Sequence, residues 1–138
     1  MTPGKLQLEV VTPERLLLSE PVDEVSYRAR EGYVGILPGH VPMLTSLEIG
    51  ELTYRASGKT HHVAVSGGFV EVTEGKVIVL ADTAEKASEI DKDRALAKKA
   101  QAEAGMKSYD SEDQFLMEKA RLEKAVARLQ AASHAIAP

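Results

Sequence analysis

An α+β chain is predicted, with an antiparallel β-sandwich over residues 1–84 followed by an antiparallel two-helix hairpin over residues 89–136. Three observations carry this. Of 13 valines, 12 lie at or before Asp82, as do 9 of 10 glycines and 5 of 6 prolines; of 18 alanines, 14 lie after it. Valine favours strands, glycine and proline mark tight turns, and alanine favours helix. The apolar period is two before the break and helical after it. Charge divides at the same place. Residues 1–82 hold 7 basic and 11 acidic groups and residues 83–138 hold 10 of each, so the whole net charge of −4 sits on the first part.

Each strand follows from alternation. Leu6, Leu8 and Val10 alternate with Lys5, Gln7 and Glu9, which makes one apolar face and one wet face. Val25, Tyr27 and Ala29 repeat the pattern, followed by Leu52 and Tyr54, Val63 and Val65, and Val70 and Val72. Lys76–Ala81 is apolar after its first residue and reads as a strand buried on both faces. Turns are expected at Thr12-Pro13-Glu14, Leu37-Pro38-Gly39, Ser57-Gly58-Lys59 and Glu74-Gly75-Lys76. Short strands at such regular spacing indicate a sandwich or flattened barrel. With two Phe and no Trp, its core must be aliphatic.

The helices follow from caps and stripes. Asp91 is placed to cap the first, which is expected to run to about Ala104, with Gly105 as a left-handed terminator. Leu96, Ala100 and Ala104 form its expected inner stripe. Ser111 and Gln114 have the spacing of a capping box for the second helix. Its seam is Leu122, Val126 and Leu129, with Phe115 two turns earlier. These stripes bury little surface, so the hairpin is expected to dock weakly and to be able to reposition.

Several functions are excluded or disfavoured. The acidic balance argues against nucleic acid, whose phosphates require neutralising cations. Cysteine is absent, which removes disulfides, thiol nucleophiles and thiolate metal sites. No apolar run approaches the roughly 20 residues that span a bilayer, and the N-terminus lacks a secretory pattern, so no direct membrane insertion is expected. His61 and His62 are adjacent in a strand and point to opposite faces, so they cannot chelate one ion. His40 and His134 are isolated, and no metal site is expected. Ser66-Gly67-Gly68 precedes a strand, which suits a bend and not a nucleophile elbow or phosphate loop. No acid, base and nucleophile converge, so the chain reads as no enzyme.

The remaining candidates are contact surfaces and charge. Arg30-Glu31-Gly32-Tyr33 and Pro38-Gly39-His40-Val41-Pro42 place polar and aromatic groups on turns suited to protein contact. Lys119, Arg121, Lys124 and Arg128 are interleaved with Glu118 and Glu123 on the second helix. They form either a solvated face or a basic interaction surface.

Four stretches, in this order, carry a resemblance that runs from about Leu6 to about Leu129. They are Gly35–Pro42, Ser66–Val72, Leu80-Ala81-Asp82 and Glu89–Ala95. The chain resembles the epsilon subunit of the F-type ATP synthase. That resemblance implies a non-catalytic rotor subunit whose sandwich binds the gamma subunit and the c-ring, with Glu31, Tyr33 and His40 as contact residues. It implies that the chain couples proton translocation to ATP synthesis, at the cytoplasmic face of a bacterial inner membrane. It also implies that the hairpin can extend toward the catalytic alpha and beta subunits and inhibit hydrolysis through Lys119, Arg121, Lys124 and Arg128. No cofactor is required. Ile90-Asp91-Lys92-Asp93-Arg94-Ala95 resembles the motif that binds regulatory ATP in some members, which implies weak ATP binding by Glu85, Asp91, Arg94, Ala95, Lys124 and Arg128. Gln101 and Met117 stand where those members carry basic residues. The bland reading of the same motif is a cap at Asp91 and a surface pair at Arg94. Two other readings of the whole chain are a free-standing nucleotide sensor and an interaction module with a helical dimerisation tail.

Overall fold

The computed structural model describes residues 4–135. Ten strands come first: β1 (Leu6–Val11), β2 (Leu16–Val22), β3 (Glu24–Ala29), β4 (Gly32–Ile36), β5 (Met43–Leu47), β6 (Gly50–Ala56), β7 (Lys59–Val65), β8 (Gly68–Thr73), β9 (Lys76–Ala81) and β10 (Ala84–Lys86). A 3-10 turn at Ala87–Glu89 leads into α1 (Lys92–Lys107) and α2 (Glu112–Ser133). Residue 136, the last of the expected hairpin, lies outside the described residues.

The strands form two five-stranded sheets, in the orders β2-β1-β9-β8-β5 and β10-β7-β6-β3-β4. Every pairing is antiparallel except β1 with β9, which run parallel. The alternating residues of both sheets meet in one core. Leu6, Leu8, Val10, Val25, Tyr27, Leu52, Val63, Val65, Val70, Val72, Val77 and Val79 are all buried there. Burial pushes the Tyr27 and Tyr54 phenols above their ordinary range, so both stay protonated inside an aliphatic core.

β9 departs from expectation. Val77, Val79 and Ala81 are buried, but Ile78 is half-buried and Leu80 is 51% exposed. Among the described residues no layer covers the outer face of this sheet, so its apolar side chains alternate between the core and the surface.

The Ser66-Gly67-Gly68 bend is obligatory. Gly67 and Gly68 have φ of 73° and 128°, and a Cβ on Gly68 would stand 1.9 Å from the Leu80 carbonyl oxygen. Only glycine lets β8 pass that close to β9.

Caps define the hairpin as expected. Asp91 Oδ1 accepts from the Arg94 amide at 3.1 Å, and Ser111 Oγ accepts from the Gln114 amide at 3.1 Å. The return bond of the second cap goes one residue further back, from the Asp110 amide to Gln114 Oε1 at 2.9 Å.

Two helical expectations are corrected. Gly105 does not end α1, which continues to Lys107 and is closed by Ser108. A Cβ at Gly105 would lie 2.6 Å from the Glu118 side chain, so glycine makes room for α2 to cross. Leu96, Ala100 and Ala104 do not form the inner stripe either; all three are exposed, Leu96 by 53%. The buried positions of α1 are Ala95 and Ala102, one stripe round the cylinder. On α2, alanines 125, 127, 131 and 132 are buried, while Leu122, Val126 and Leu129 are half-buried. α2 packs between α1 and the β6–β7 face of the sandwich, and α1 packs chiefly on α2.

Candidate functional site

The junction between sandwich and hairpin holds a cavity of about 440 Å³. It is lined by the β1–β2 turn (Thr12, Glu14, Arg15), the end of the sandwich (Thr83, Ala84, Glu85), the connecting turn (Glu89), the start of α1 (Asp91, Arg94, Ala95) and Arg128 of α2. Three arginines face four carboxylates here, and two of the arginines are already engaged. Arg128 Nε donates to Glu85 Oε1 at 2.6 Å. Arg15 grips Glu89 with both terminal nitrogens, at 2.9 and 3.1 Å. The Arg15 hydrogen bond holds the Glu89 carboxyl below its ordinary pKa, helped by the Lys86 amide and opposed by desolvation. Arg94 forms no ion pair among the described residues.

A second cavity of about 400 Å³ shares Thr83 and Arg128 with the first and runs between the helices. Its other linings are Lys98, Gln101, Ala102, Glu118, Arg121 and Lys124. Four cations face one carboxylate, and Glu118 is paired with Arg121 at 2.7 Å. This groove is the more cationic of the two and the better seat for an anion.

Of the residues expected to hold ATP, Glu85, Asp91, Arg94, Ala95 and Arg128 therefore line one cavity, and Lys124 lines the adjoining one. Arg15 and Lys98 were missed. Lys98 was legible, since Arg94, Lys98 and Gln101 lie at i, i+4 and i+7 on one helix face. Arg15 was not, because it arrives from a turn 79 residues before Arg94, and only the folded topology brings it in.

Of the basic residues expected on α2, Arg121, Lys124 and Arg128 share the groove, while Lys119 faces solvent elsewhere. Glu31 and Tyr33 line a hollow of about 450 Å³ with Met43 and Leu44, where edge strands β4 and β5 approach; Tyr33 is 84% exposed. His40 lies in the following loop, half-exposed, and its backbone closes a turn on Leu37. It does not join Glu31 and Tyr33 in that hollow.

An apolar surface also went unexpected. Leu16, Leu80 and Phe69 stand in register across the outer face of the β2-β1-β9-β8-β5 sheet, and all are more than half exposed. Leu44 continues the patch on β5. The reading of β9 as buried on both faces hid this surface.

Comparison with known proteins gives these features a context. Residues 5–87 match the profile of the ATP synthase delta/epsilon chain beta-sandwich domain, and residues 88–133 match that of its long alpha-helix domain. The chain belongs to the ATP synthase delta/epsilon family. The ATP synthase epsilon chain of Nitratidesulfovibrio vulgaris strain DP4 is 48% identical over 130 residues, covering 94% of this chain and 97% of that one. The epsilon chain of Geobacter sp. strain M21 is 48% identical over 132 residues, covering 95% and 96%. Among solved structures, a chain of the Euglena gracilis mitochondrial ATP synthase OSCP/F1/c-ring assembly superposes with a TM-score of 0.82 at 29% identity, covering 96% of this chain and 83% of that one. A chain from the central stalk and c-ring of the Tetrahymena thermophila mitochondrial enzyme shares the fold, with a TM-score of 0.64 at 16% identity.

The protein is thus an epsilon-type, central-stalk subunit of an ATP synthase, and a non-catalytic one. Among the described residues, no helix is long and apolar enough to cross a membrane.

Proposed function

We propose that the sandwich carries rotation between the gamma subunit and the c-ring, coupling proton translocation to ATP synthesis, and that the hairpin restrains ATP hydrolysis by leaving its docked position. The docked contact is the observation that carries this reading. α2 is held to the sandwich side by alanines, half-buried aliphatic residues and the Arg128–Glu85 pair. A buried methyl contributes roughly 0.8 kcal/mol, against about 1.5–3 kcal/mol for a buried leucine, so such a seam can be exchanged for contacts elsewhere. Once extended, Lys119, Arg121, Lys124 and Arg128 would meet acidic segments of the catalytic alpha and beta subunits.

The β4–β5 end of the sandwich supports the rotor contacts. Glu31, Tyr33 and the loop carrying His40 form the face toward the c-ring, and the Leu16–Leu80–Phe69 row suits an apolar partner such as gamma. Through those subunits the chain would lie at the cytoplasmic face of the bacterial inner membrane. Regulatory ATP fits the junction: its triphosphate along Lys98, Lys124 and Arg94, and its ribose hydroxyls on Glu85 or Asp91. Arg128 would have to leave Glu85 to join, which keeps the affinity low.

The deciding experiment adds the full chain, or a chain ending at Lys86, to an ATP synthase catalytic complex depleted of this subunit. Both are expected to bind, and only the full chain to slow hydrolysis. Inhibition by the shortened chain would refute the hairpin's role, and failure of both to bind would refute the rotor assignment.

A further inference from the structure

Two histidines from distant parts of the sequence meet where the end of α2 rests on the sandwich. His62 projects from the outer face of β7, and His134 is the C-terminal cap of α2; their rings stack with centroids 4.2 Å apart. Glu51, on neighbouring β6, reaches both, its Oε1 lying 3.1 Å from His62 Nδ1 and 3.6 Å from His134 Nδ1. Each of the three offers a ligand atom within 4.8 Å of the others. The His62 and Glu51 side chains are only 15% and 22% exposed, whereas that of His134 is 52% exposed.

We infer that Glu51, His62 and His134 form a site for one divalent transition-metal ion, zinc above all, which ties the end of the hairpin to the sandwich. This goes beyond the rotor reading and does not depend on it. The donor set decides the class of ion. Two imidazoles and a carboxylate suit zinc and its neighbours, while calcium and magnesium require mostly oxygen. One orienting bond is already present: His134 Nδ1 donates to the Gln130 carbonyl at 2.9 Å, which keeps a lone pair on its Nε2. Such a bond commonly orients a metal-bound imidazole. His62 Nδ1 faces Glu51 Oε1 at 3.1 Å, so the ion takes the place of the proton between them and His62 binds through Nδ1, with its own proton on Nε2. Parallel rings cannot aim their lone pairs at one point, so His134, exposed and at the helix end, turns out of the stack as the ion enters. Water takes the fourth position of a tetrahedral shell.

The site draws ligands from both the sandwich and the hairpin, so it is complete only when α2 is docked. An ion that binds only the docked form raises the ratio of docked to undocked chains by about a hundredfold at a hundred times its dissociation constant.

The test is a calorimetric titration of the full, untagged chain with zinc chloride. Cobalt is then substituted to read tetrahedral coordination from its visible absorption. One equivalent is expected to bind, and His62→Ala and His134→Ala should each weaken binding by about 10–100-fold, at least the cost of losing an outer-shell partner. His61→Ala and His40→Ala should leave it unchanged. Binding that survives both His62→Ala and His134→Ala overturns the site, as does no binding up to about 1 mM zinc. The tie to the hairpin has its own readout. Zinc should slow amide exchange in the last turns of α2 in the wild-type chain but not in His134→Ala. Binding without that protection overturns the tie.

Discussion

Single residues in this chain matter most where the backbone leaves no room. At Gly68 a positive φ and the Leu80 carbonyl coincide, so a side chain there meets both strain and a backbone clash. Gly68→Ala is expected to cost about 3 kcal/mol or more, since strain of this kind alone costs about 1–3 kcal/mol. Gly58→Ala is the control. It shares a positive φ of 74° but has open space at its Cβ, and should cost only about 1–2 kcal/mol. Urea unfolding of the two variants separates clash from conformation, and equal losses would show that the β8–β9 approach is not tight. The Gly67-Gly68 bend was legible because paired glycines between apolar alternations have few other uses. The place of Gly105 was not, since a glycine near a helix end reads as a terminator until the partner helix is seen to press Glu118 against it.

At the scale of elements, caps and strand alternation were legible because they are local, written in residues one to four positions apart. The inner face of α1 was not. Ala95, Ala100, Ala102 and Ala104 are chemically alike, so nothing in the stripe itself tells which alanine faces inward. The junction shows the same division. Asp91 and Arg94 could be read as a cap, but the Arg15 grip on Glu89 spans 74 residues. That grip predicts how the connecting turn responds to acid. The Glu89 carboxyl is held below its ordinary pKa of 4.5, so its contribution is complete above that value and is lost as pH falls through the lower folded value. Glu89→Gln should therefore destabilise the chain at neutral pH, and the gap from wild type should close in acid. Paired urea melts from pH 7 to pH 3 measure it, and a gap that stays constant with pH would rule out the ion pair as its source.

The whole molecule joins a sandwich with a continuous aliphatic core to a hairpin held by small side chains, and this asymmetry should appear as graded stability. Amides in β1, β8 and β9 are locked into ladders whose side chains are buried in that core, so they exchange only when the sandwich opens. α1 packs chiefly on α2, and α2 is held by α1 on one side and by β6 and β7 on the other. Native-state hydrogen exchange is therefore expected to release α1 first, α2 next and the central strands last. Arg128→Ala should speed the two helices and leave the strands unchanged, because Arg128–Glu85 joins the hairpin to β10 without entering the core. Its loss removes an interaction only about a quarter to a third exposed, worth more than the 0–1 kcal/mol of a fully solvated pair. If helices and strands instead exchange together, the two parts form one cooperative unit. The hairpin then cannot leave without unfolding the sandwich, and a movable regulatory arm is physically excluded.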